Sequence, residues 1–380
     1  MGYHTLSRDA YTGVRDSATR GGQKSATDDA EVRMRQGKGL DPLVDPKGPA
    51  HLGPIRRSRP RFEKQGDLWV LTRGVPMAEE TLLDTTGSMG RNVDIAFDVL
   101  PHAYEMLTSG GRPVLGRYDP QIATAIFNDV EDSGVPVLCR TQFEMDEKIA
   151  LQMTRLVPGR QGQGNGKEDS QFGLFAAAYL TAASINLYGL KYYHFTVSDE
   201  PTVETINLSW LKKIFGDEVL EQSQESGFHF NAKSLPDTAK VITDLQTKAH
   251  AFFLQVGDRP DVKRQWIDMY GADHFVMLPG GGTEYLHYVK AVICGLTEGV
   301  LDLNSAAEFL HEHKVPSADA NRIVRAVAHI PLGAQTLCPN FSKIPKTGDL
   351  FKDKTDLWPT DQSDMSDKTK TDSKEGPTWL

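Results

Sequence analysis

From residue 68 onward the chain alternates between short strand-like runs and longer segments with apolar residues at helical spacing. We predict strands near 77–84, 120–128, 136–143, 192–198, 250–257 and 274–278, and helices near 91–109, 146–157, 170–188, 203–215, 236–248, 261–270 and 283–299. The polar turn between the second and third strands is too short for a helical crossover, so these strands should pair antiparallel. The alternation therefore predicts an α/β, doubly wound, mainly parallel sheet with one antiparallel edge strand and helices on both faces.

The segments that flank this predicted domain, residues 66–300, have different compositions. Residues 1–65 are polar and weakly periodic, and carry more Lys and Arg than Asp and Glu, which indicates an extended basic arm that covers part of the core. Two runs within 301–340 begin with capping residues and have apolar stripes, which predicts a small helical appendage. Residues 341–380 have too few aliphatic side chains to order themselves, so we expect a disordered tail.

Composition and charge exclude several classes of function. The formal net charge is −9 at pH 7. A polyanion is held largely by Lys and Arg contacts to phosphate, so this charge argues against nucleic-acid binding, apart from weak binding through the basic arm. No apolar run reaches the length of a membrane span and the polar start lacks a signal-peptide core, so we expect a cytoplasmic protein without a membrane partner. The three cysteines are widely separated and form no metal-ligand pattern.

One loop places a carboxylate and two hydroxyls at alternate positions directly after an apolar run. Asp84 ends the run, and Thr86 and Ser88 follow it before a helical pattern begins. Oxygen ligands with a single carboxylate suit Mg²⁺, or Mn²⁺ in its place, and Mg²⁺ keeps waters or an external ligand in its octahedral shell. In an open α/β sheet such a loop lies at the carboxyl end of a strand, where these folds bind ligands.

A metal loop needs partners from other strands, and Asp199 is the best candidate. It follows the predicted central strand at 192–198, which would place it beside the Asp84 loop. The alternative interpretation is a helix N-cap, because Ser198 or Asp199 followed by Pro201 is also a normal helix start.

These motifs resemble those of a known family. The stretch from Asp84 to Gly90, Asp-Thr-Thr-Gly-Ser-Met-Gly, resembles the metal-ion-dependent adhesion site of von Willebrand factor A domains, in the version common in bacterial members. The stretch from Ser198 to Pro201, Ser-Asp-Glu-Pro, looks like the Thr-Asp-x-Pro loop of the same members. The resemblance covers roughly residues 75–300. It implies a doubly wound α/β fold that binds a protein partner through the open coordination position of the metal.

The chain departs from this family at the third metal loop, where a Thr in a Gly-Gly-Thr-Asp-like sequence usually contributes. Residues 159–170 contain no Thr, so the resemblance leaves Asp169 or Ser170 as a substitute, and the loop looks more like a Gly-Gly-Gly-Asp-x-Pro-Glu variant. An extra carboxylate would favour the cation and disfavour an acidic partner residue on the same metal. The predicted metal ligands are Asp84, Thr86, Ser88, Asp199 and Asp169.

We therefore expect a metal-dependent protein-binding or assembly module, not an enzyme, in which Mg²⁺ engages an acidic group of a partner protein. One alternative is a hydrolase with Ser88 as nucleophile in a turn that resembles a nucleophile elbow. Asp199 and then His274 or His287 would follow it in the chain, although Thr86 occupies the first Gly position of the elbow. The other alternative is a structural domain whose loop holds hydrogen bonds and no metal.

Overall fold

The computed structural model describes Gly13 and residues 27–47, 61–73, 76–109, 111–116, 118–145, 148–162, 166–183, 185–186, 190–335 and 340–341. Its strands are β1 Arg61–Gln65, β2 Leu68–Arg73, β3 Pro76–Asp84, β4 Asp119–Phe127, β5 Leu138–Arg140, β6 Tyr192–Ser198, β7 Ala249–Gln255, β8 Phe275–Met277 and β9 Asn340–Phe341. Its helices are α1 Asp28–Arg35, α2 Asn92–Val99, α3 His102–Thr108, α4 Lys148–Met153, α5 Gln171–Tyr179, α6 Leu208–Phe215, α7 Val219–Glu225, α8 Thr238–Lys248, α9 Pro260–Tyr270, α10 Leu286–Thr297, α11 Leu303–Glu312 and α12 Ser317–Ala326.

A six-stranded sheet forms the centre of the fold, in the order β5-β4-β3-β6-β7-β8. Neighbouring strands run parallel except β5, which is antiparallel to β4 at one edge. The connection between β4 and β5 is too short for a crossover, whereas the connections that lead to β4, β6, β7 and β8 each contain helices. The predicted α/β fold, with a mainly parallel sheet and one antiparallel edge strand, is confirmed.

The central strand β3 is buried at all nine of its positions because helices cover both of its faces. Side chains alternate between these faces. Thr81 accepts a hydrogen bond from Lys290 of α10, whereas Leu82 faces Gly173 of α5. A Cβ atom on Gly173 would lie 2.3 Å from Leu82 Cδ1, so only glycine lets α5 approach the sheet this closely. The strand that ends at the candidate metal loop is therefore fixed from both sides.

Two glutamates of β3 are buried and paired on opposite faces of the sheet. Lys290 Nζ lies 2.8 Å from Glu79 Oε1. On the other face, Arg140 Nη2 lies 3.1 Å from Glu80 Oε2 and His194 Nδ1 lies 3.4 Å from the same oxygen. Burial alone would raise the pKa of Glu80, but Arg140 and His194 lower it to about 2. The charged positions of this strand are thus part of the core.

Several helical boundaries differ from the prediction. The helix predicted at 91–109 is divided into α2 and α3, because Pro101 cannot donate the backbone hydrogen bond that a continuous helix needs. The helix predicted at 203–215 begins only after Asn207, whose Oδ1 accepts from Ser209 N at 2.8 Å and caps α6. Helices α4 and α5 are also shorter than predicted, and α7 was not predicted.

Part of the predicted N-terminal arm packs on the domain. Helix α1 is followed by Val44, which is fully buried. The Val44 carbonyl accepts from Arg140 N at 3.0 Å, so the arm covers the outer edge of β5. Strands β1, β2 and β9 form a separate antiparallel sheet, in which the β1–β2 hairpin crosses the predicted boundary at residue 65. Apart from Gly13, residues 1–26 lie outside the described residues.

Helices α11 and α12 occupy the region predicted as a helical appendage. They pack against each other and against α10, which in turn packs against α2 and α3. The predicted tail lies outside the described residues except for Phe341. None of the helices in the described ranges combines the length and apolar character that a membrane crossing requires.

Candidate metal centre

The loop after β3 brings together the three residues of the Asp-x-Thr-x-Ser pattern. Asp84 Oδ1 accepts hydrogen bonds from Thr86 N at 2.9 Å and from Thr86 Oγ1 at 2.7 Å. The hydroxyls of Thr86 and Ser88 are 3.3 Å apart. Asp84 and Thr86 are fully buried, whereas Ser88 is exposed. The loop is therefore a compact oxygen cluster that reaches solvent at Ser88.

Asp199 joins this cluster from the next strand, because β6 pairs directly with β3. Ser88 Oγ donates to Asp199 Oδ1 at 2.8 Å, and Ser198 Oγ donates to Asp84 Oδ2 at 2.6 Å. Two adjacent parallel strands thus deliver both carboxylates to one point at their carboxyl ends. The alternative interpretation of this segment as a helix N-cap is wrong, since the next helix begins at Leu208.

The third carboxylate at the loop belongs to Glu168, and the structure does not bring the predicted Asp169 to it. Thr86 Oγ1 donates to Glu168 Oε1 at 3.2 Å. The Asp169 carboxylate accepts from Val130 N at 2.8 Å and from Gln171 Nε2 at 2.7 Å. Both oxygens of Asp169 are therefore used by groups outside the loop, and Glu168 replaces it in the candidate site.

A short parallel bridge between two loops decides which of these neighbours faces the cluster. Glu168 pairs with Thr202, with Glu168 N donating to Pro201 O at 2.8 Å and Val203 N donating to Glu168 O at 3.0 Å. Consecutive side chains of an extended segment point in opposite directions, so Asp169 turns away. The Gly-Gly-Gly-Asp-x-Pro-Glu variant ends in a Glu, and this Glu could have pointed to Glu168. The glycine-rich loop has no periodicity, however, so the sequence does not show which acidic residue of the loop faces the cluster.

Acidic side chains crowd this site, and each has a raised pKa. Burial, together with the Asp199 carboxylate, raises the pKa of Asp84 to about 7. Burial and the neighbouring Asp84 and Asp129 carboxylates raise the pKa of Glu168 to about 10. Burial also raises the pKa values of Asp129 and Asp199. Glu168 and Asp129 also share a hydrogen bond, which exists only while one of the two carboxyl groups keeps a proton. Several carboxyl groups are therefore buried close together, and a cation that displaced their protons would offset the repulsion between the ionised forms.

A hard divalent cation fits this donor set, because Mg²⁺ prefers oxygen ligands and completes its shell with water or an external group. Asp84, Thr86, Ser88, Asp199 and Glu168 are the residues that would hold it. Within the described ranges, no group of three or more His, Cys, Asp or Glu side chains is arranged to bind a metal by itself. A cation here would therefore depend on the Thr86 and Ser88 hydroxyls as well as on the carboxylates.

Backbone hydrogen bonds fix this loop against the glycine-rich rim. Gly87 N donates to Gln161 O at 2.5 Å, and Arg160 N donates to Thr85 O at 2.8 Å. A Cβ atom on Gly87 would lie 3.1 Å from the carbonyl carbon of Gln161, so a larger residue would push the rim away. The rim and the loop therefore hold each other in place, which preorganises the oxygen cluster.

Among the described residues, no histidine is hydrogen-bonded to the hydroxyl of Ser88. Its hydrogen bonds within the described residues are with Thr86 and Asp199. His274, one of the two candidate bases of the hydrolase alternative, lies against Phe252 with ring centroids 5.2 Å apart. No observation in the described part of the chain therefore favours nucleophilic catalysis at Ser88.

Replacing Glu168 with Gln should reduce the loss of stability that the metal-free protein suffers at high pH. The raised pKa means that the folded state keeps a proton which the unfolded state releases above about pH 4.5, so the stability this group contributes declines as pH rises towards 10. Gln imitates the protonated form. We expect Glu168→Gln to be more stable than wild type by about 1–3 kcal/mol at pH 8 in chelator, with a smaller difference at pH 5.

Urea unfolding at both pH values measures this difference. Glu221 is an exposed glutamate of α7, and Glu221→Gln serves as the matched control. If the wild type and Glu168→Gln lost equal stability between pH 5 and pH 8, Glu168 would not hold a proton in the folded state.

The fold and the loop together define a class: a doubly wound α/β protein with a cluster of carboxylates and hydroxyls at the carboxyl ends of its central strands. No protein-family model matches the sequence, and no curated protein matches it. A solved structure of the pilus adhesin SpaC from Lactobacillus rhamnosus GG, in its open conformation, is similar with a TM-score of 0.39 and 16% identity over 62% of this chain and 33% of that chain.

A second crystal structure of the same adhesin has a TM-score of 0.37 and 13% identity, over 64% of this chain and 35% of that chain. The chain thus spans about a third of the length of the adhesin chains to which it is similar.

Proposed function

We propose that the protein is a metal-dependent binding module, in which Mg²⁺ or Mn²⁺ in the loop after β3 engages an acidic group of a partner protein. The observation that carries this proposal is the convergence of oxygens from three separate segments at one point that opens to solvent at Ser88. The resemblance of the loop to the metal-ion-dependent adhesion site of von Willebrand factor A domains supports the same function.

The exposed side of the cluster suits a carboxylate from another molecule. A cation held by few protein ligands has positions left for water or for an external oxygen. Two arginines lie near the cluster and are paired with carboxylates: Arg160 makes a bidentate pair with Asp94, and Arg259 pairs with Asp261 and Glu200. The charge of Arg259 offsets only part of the burial that raises the pKa of Asp199. These paired arginines do not offset the extra carboxylate of Glu168, so the bound metal has to supply the attraction for an acidic partner residue.

The first part of the test measures metal binding directly. Mn²⁺ titration followed by electron paramagnetic resonance should show one bound ion in the wild type and none in Asp84→Ala. The control is Asp268→Ala, which removes an exposed carboxylate of α9 and should bind Mn²⁺ as the wild type does. Absence of Mn²⁺ binding by the wild type would contradict the proposal and leave the loop as a structural element.

The second part measures the partner step with the same three proteins immobilised and incubated with a host extract in Mg²⁺ or chelator. The proposal expects a protein that is retained by the wild type and Asp268→Ala in Mg²⁺, lost in chelator, and not retained by folded Asp84→Ala. Retention by Asp84→Ala, or Mn²⁺ binding without any Mg²⁺-dependent capture, would contradict the partner step.

A further inference from the structure

A groove of about 990 Å³ lies between α9, the edge strand β8 and α12, and shares no lining residue with the metal centre. Part of its lining is apolar and comes from Ile267, Phe275, Met277 and Leu278. Met277 is 38% exposed, although it belongs to a strand of the central sheet. An accessible methionine among other apolar side chains is typical of a surface that binds a partner, because its flexible thioether adapts to different shapes.

Basic side chains line the same groove. Lys263 comes from α9, Arg322 and Arg325 from α12, and His329 from the turn that follows. Asp258 is the acidic side chain among the described lining residues. The chain as a whole has a net charge of −9, so this local excess of positive charge stands out from the rest of the molecule.

Most of this positive charge is not neutralised within the protein. Arg322 Nη1 lies 3.3 Å from Asp319 Oδ1, an exposed pair of small energetic value. Lys263 and Arg325 have no acidic partner within the described residues and are exposed. Two cations on opposite walls of a groove with an apolar lining are therefore available to a ligand that carries both negative charge and apolar groups.

The backbone of β8 limits how a ligand can bind. β8 is the last strand of the sheet, a position where an exposed edge can recruit another strand. His329 Nε2, however, lies 2.7 Å from Phe275 O and uses the carbonyl that an added strand would need. Strand addition is thus blocked at Phe275, and recognition has to use side chains.

Hydrogen bonds at the end of the groove preform its shape. Gly257 N donates to Gly281 O at 3.0 Å. Thr283 Oγ1 donates to Asn92 O at 2.7 Å and ties the glycine-rich turn after β8 to α2. A preformed groove binds a ligand without the entropic cost of ordering its own loops.

We propose that this groove is a docking site for an acidic peptide segment of a partner protein, with apolar side chains placed between its Asp or Glu residues. Lys263, Arg322 and Arg325 select the carboxylates, and the exposed Met277 with the half-buried Ile267 contacts the aliphatic or aromatic side chains. A nucleic acid fits less well, because Phe275 is buried and offers no open face on which a base can stack. This docking goes beyond the metal-dependent binding and does not require it.

The experiment uses the full chain and a fluorescein-labelled peptide of repeated Leu-Glu-Phe-Asp units, followed by fluorescence anisotropy. We expect binding that weakens with salt, and a roughly tenfold or greater loss of affinity in Lys263→Glu/Arg325→Glu, because two attractive contacts become repulsive. The matched control is Arg264→Glu, an exposed neighbour of Lys263 outside the groove, which should bind as the wild type does. Met277→Ser should weaken binding without changing its salt dependence.

Each of the following results would overturn the proposal: equal peptide affinity in the wild type and Lys263→Glu/Arg325→Glu, equal affinity for a Leu-Gln-Phe-Asn peptide, or preference for a single-stranded oligonucleotide over the acidic peptide. Dimerisation that removes peptide binding, detected by light scattering, would assign the groove to a second copy instead and also overturn it. Circular dichroism confirms that the variants fold. Peptide binding should persist in chelator and in Asp84→Ala, so its failure is distinguishable from failure of the metal-dependent function.

Discussion

Mg²⁺ is expected to raise the thermal stability of the wild type, and this rise should be absent from Asp84→Asn. A ligand bound only by the folded state stabilises it by about 2.7 kcal/mol at one hundred times its dissociation constant. Asn keeps an oxygen that can accept the hydrogen bonds of Thr86 but lacks the charge that holds a cation. Thermal unfolding with Mg²⁺ or chelator measures the effect, with Asp268→Asn as the control on an exposed carboxylate.

The increase in thermal stability that Mg²⁺ gives the wild type should depend on pH. Because burial first, and Asp199 next, raise the pKa of Asp84 to about 7, the folded protein keeps a proton there at pH 5.5 that Mg²⁺ has to displace. At pH 8 the carboxylate is mostly ionised, so Mg²⁺ should stabilise the wild type more at pH 8 than at pH 5.5. A Mg²⁺-dependent rise that survives in Asp84→Asn, or that is larger at pH 5.5, would contradict the assignment of Asp84 as a ligand.

Arg140→Leu is expected to destabilise the protein by about 3–5 kcal/mol at pH 7, because it leaves the Glu80 carboxylate buried without its cation. Both side chains are about 1% exposed, and Arg140 also donates to Thr181. The control is Arg112→Leu, which breaks an exposed pair with Glu308 and should cost at most about 1 kcal/mol. The double variant Glu80→Gln/Arg140→Leu should recover part of the loss, since no charge is then stranded.

Urea unfolding of these variants tests the buried pair, and acid provides a second test. The pKa of Glu80 is held at about 2, so the stability that this pair contributes is present above about pH 4.5 and is lost as pH falls towards 2. The difference between the wild type and Arg140→Leu should therefore shrink at low pH. Equal costs for Arg140→Leu and Arg112→Leu would show that the buried pair adds no more than a surface pair does.

Much of the fold could be predicted from local patterns. Strands β3 and β6 are buried along their whole length, which is typical of central strands in a parallel sheet. The turn before β5 is too short for a crossover, so β5 has to pair antiparallel with β4. The breaks are harder to place. Pro101 ends a helix because it has no backbone N–H to donate. The late start of α6, by contrast, depends on the loop that pairs with Glu168.

The candidate site was partly predictable, because some of its residues are set by local sequence patterns. Asp84, Thr86 and Ser88 are close in the chain, and Asp199 ends a strand, so the topology of a parallel sheet suffices to bring them together. Glu168 comes from a glycine-rich loop without periodicity. Glu168, and not Asp169, faces the Asp84 loop because Glu168 pairs with Thr202. No local sequence pattern predicts this pairing.

The sequence by itself determined the alternation of strands and helices and the hydroxyl-carboxylate loop at the end of β3, because these depend on residues that are neighbours in the chain. Only the tertiary structure decided that Glu168 faces the loop, that Glu80 meets Arg140 across the sheet, and that Lys263 and Arg325 line one groove. Each of these contacts joins residues from distant segments. Their energies come from burial and charge pairing, which exist only once the sheet and its helices have packed.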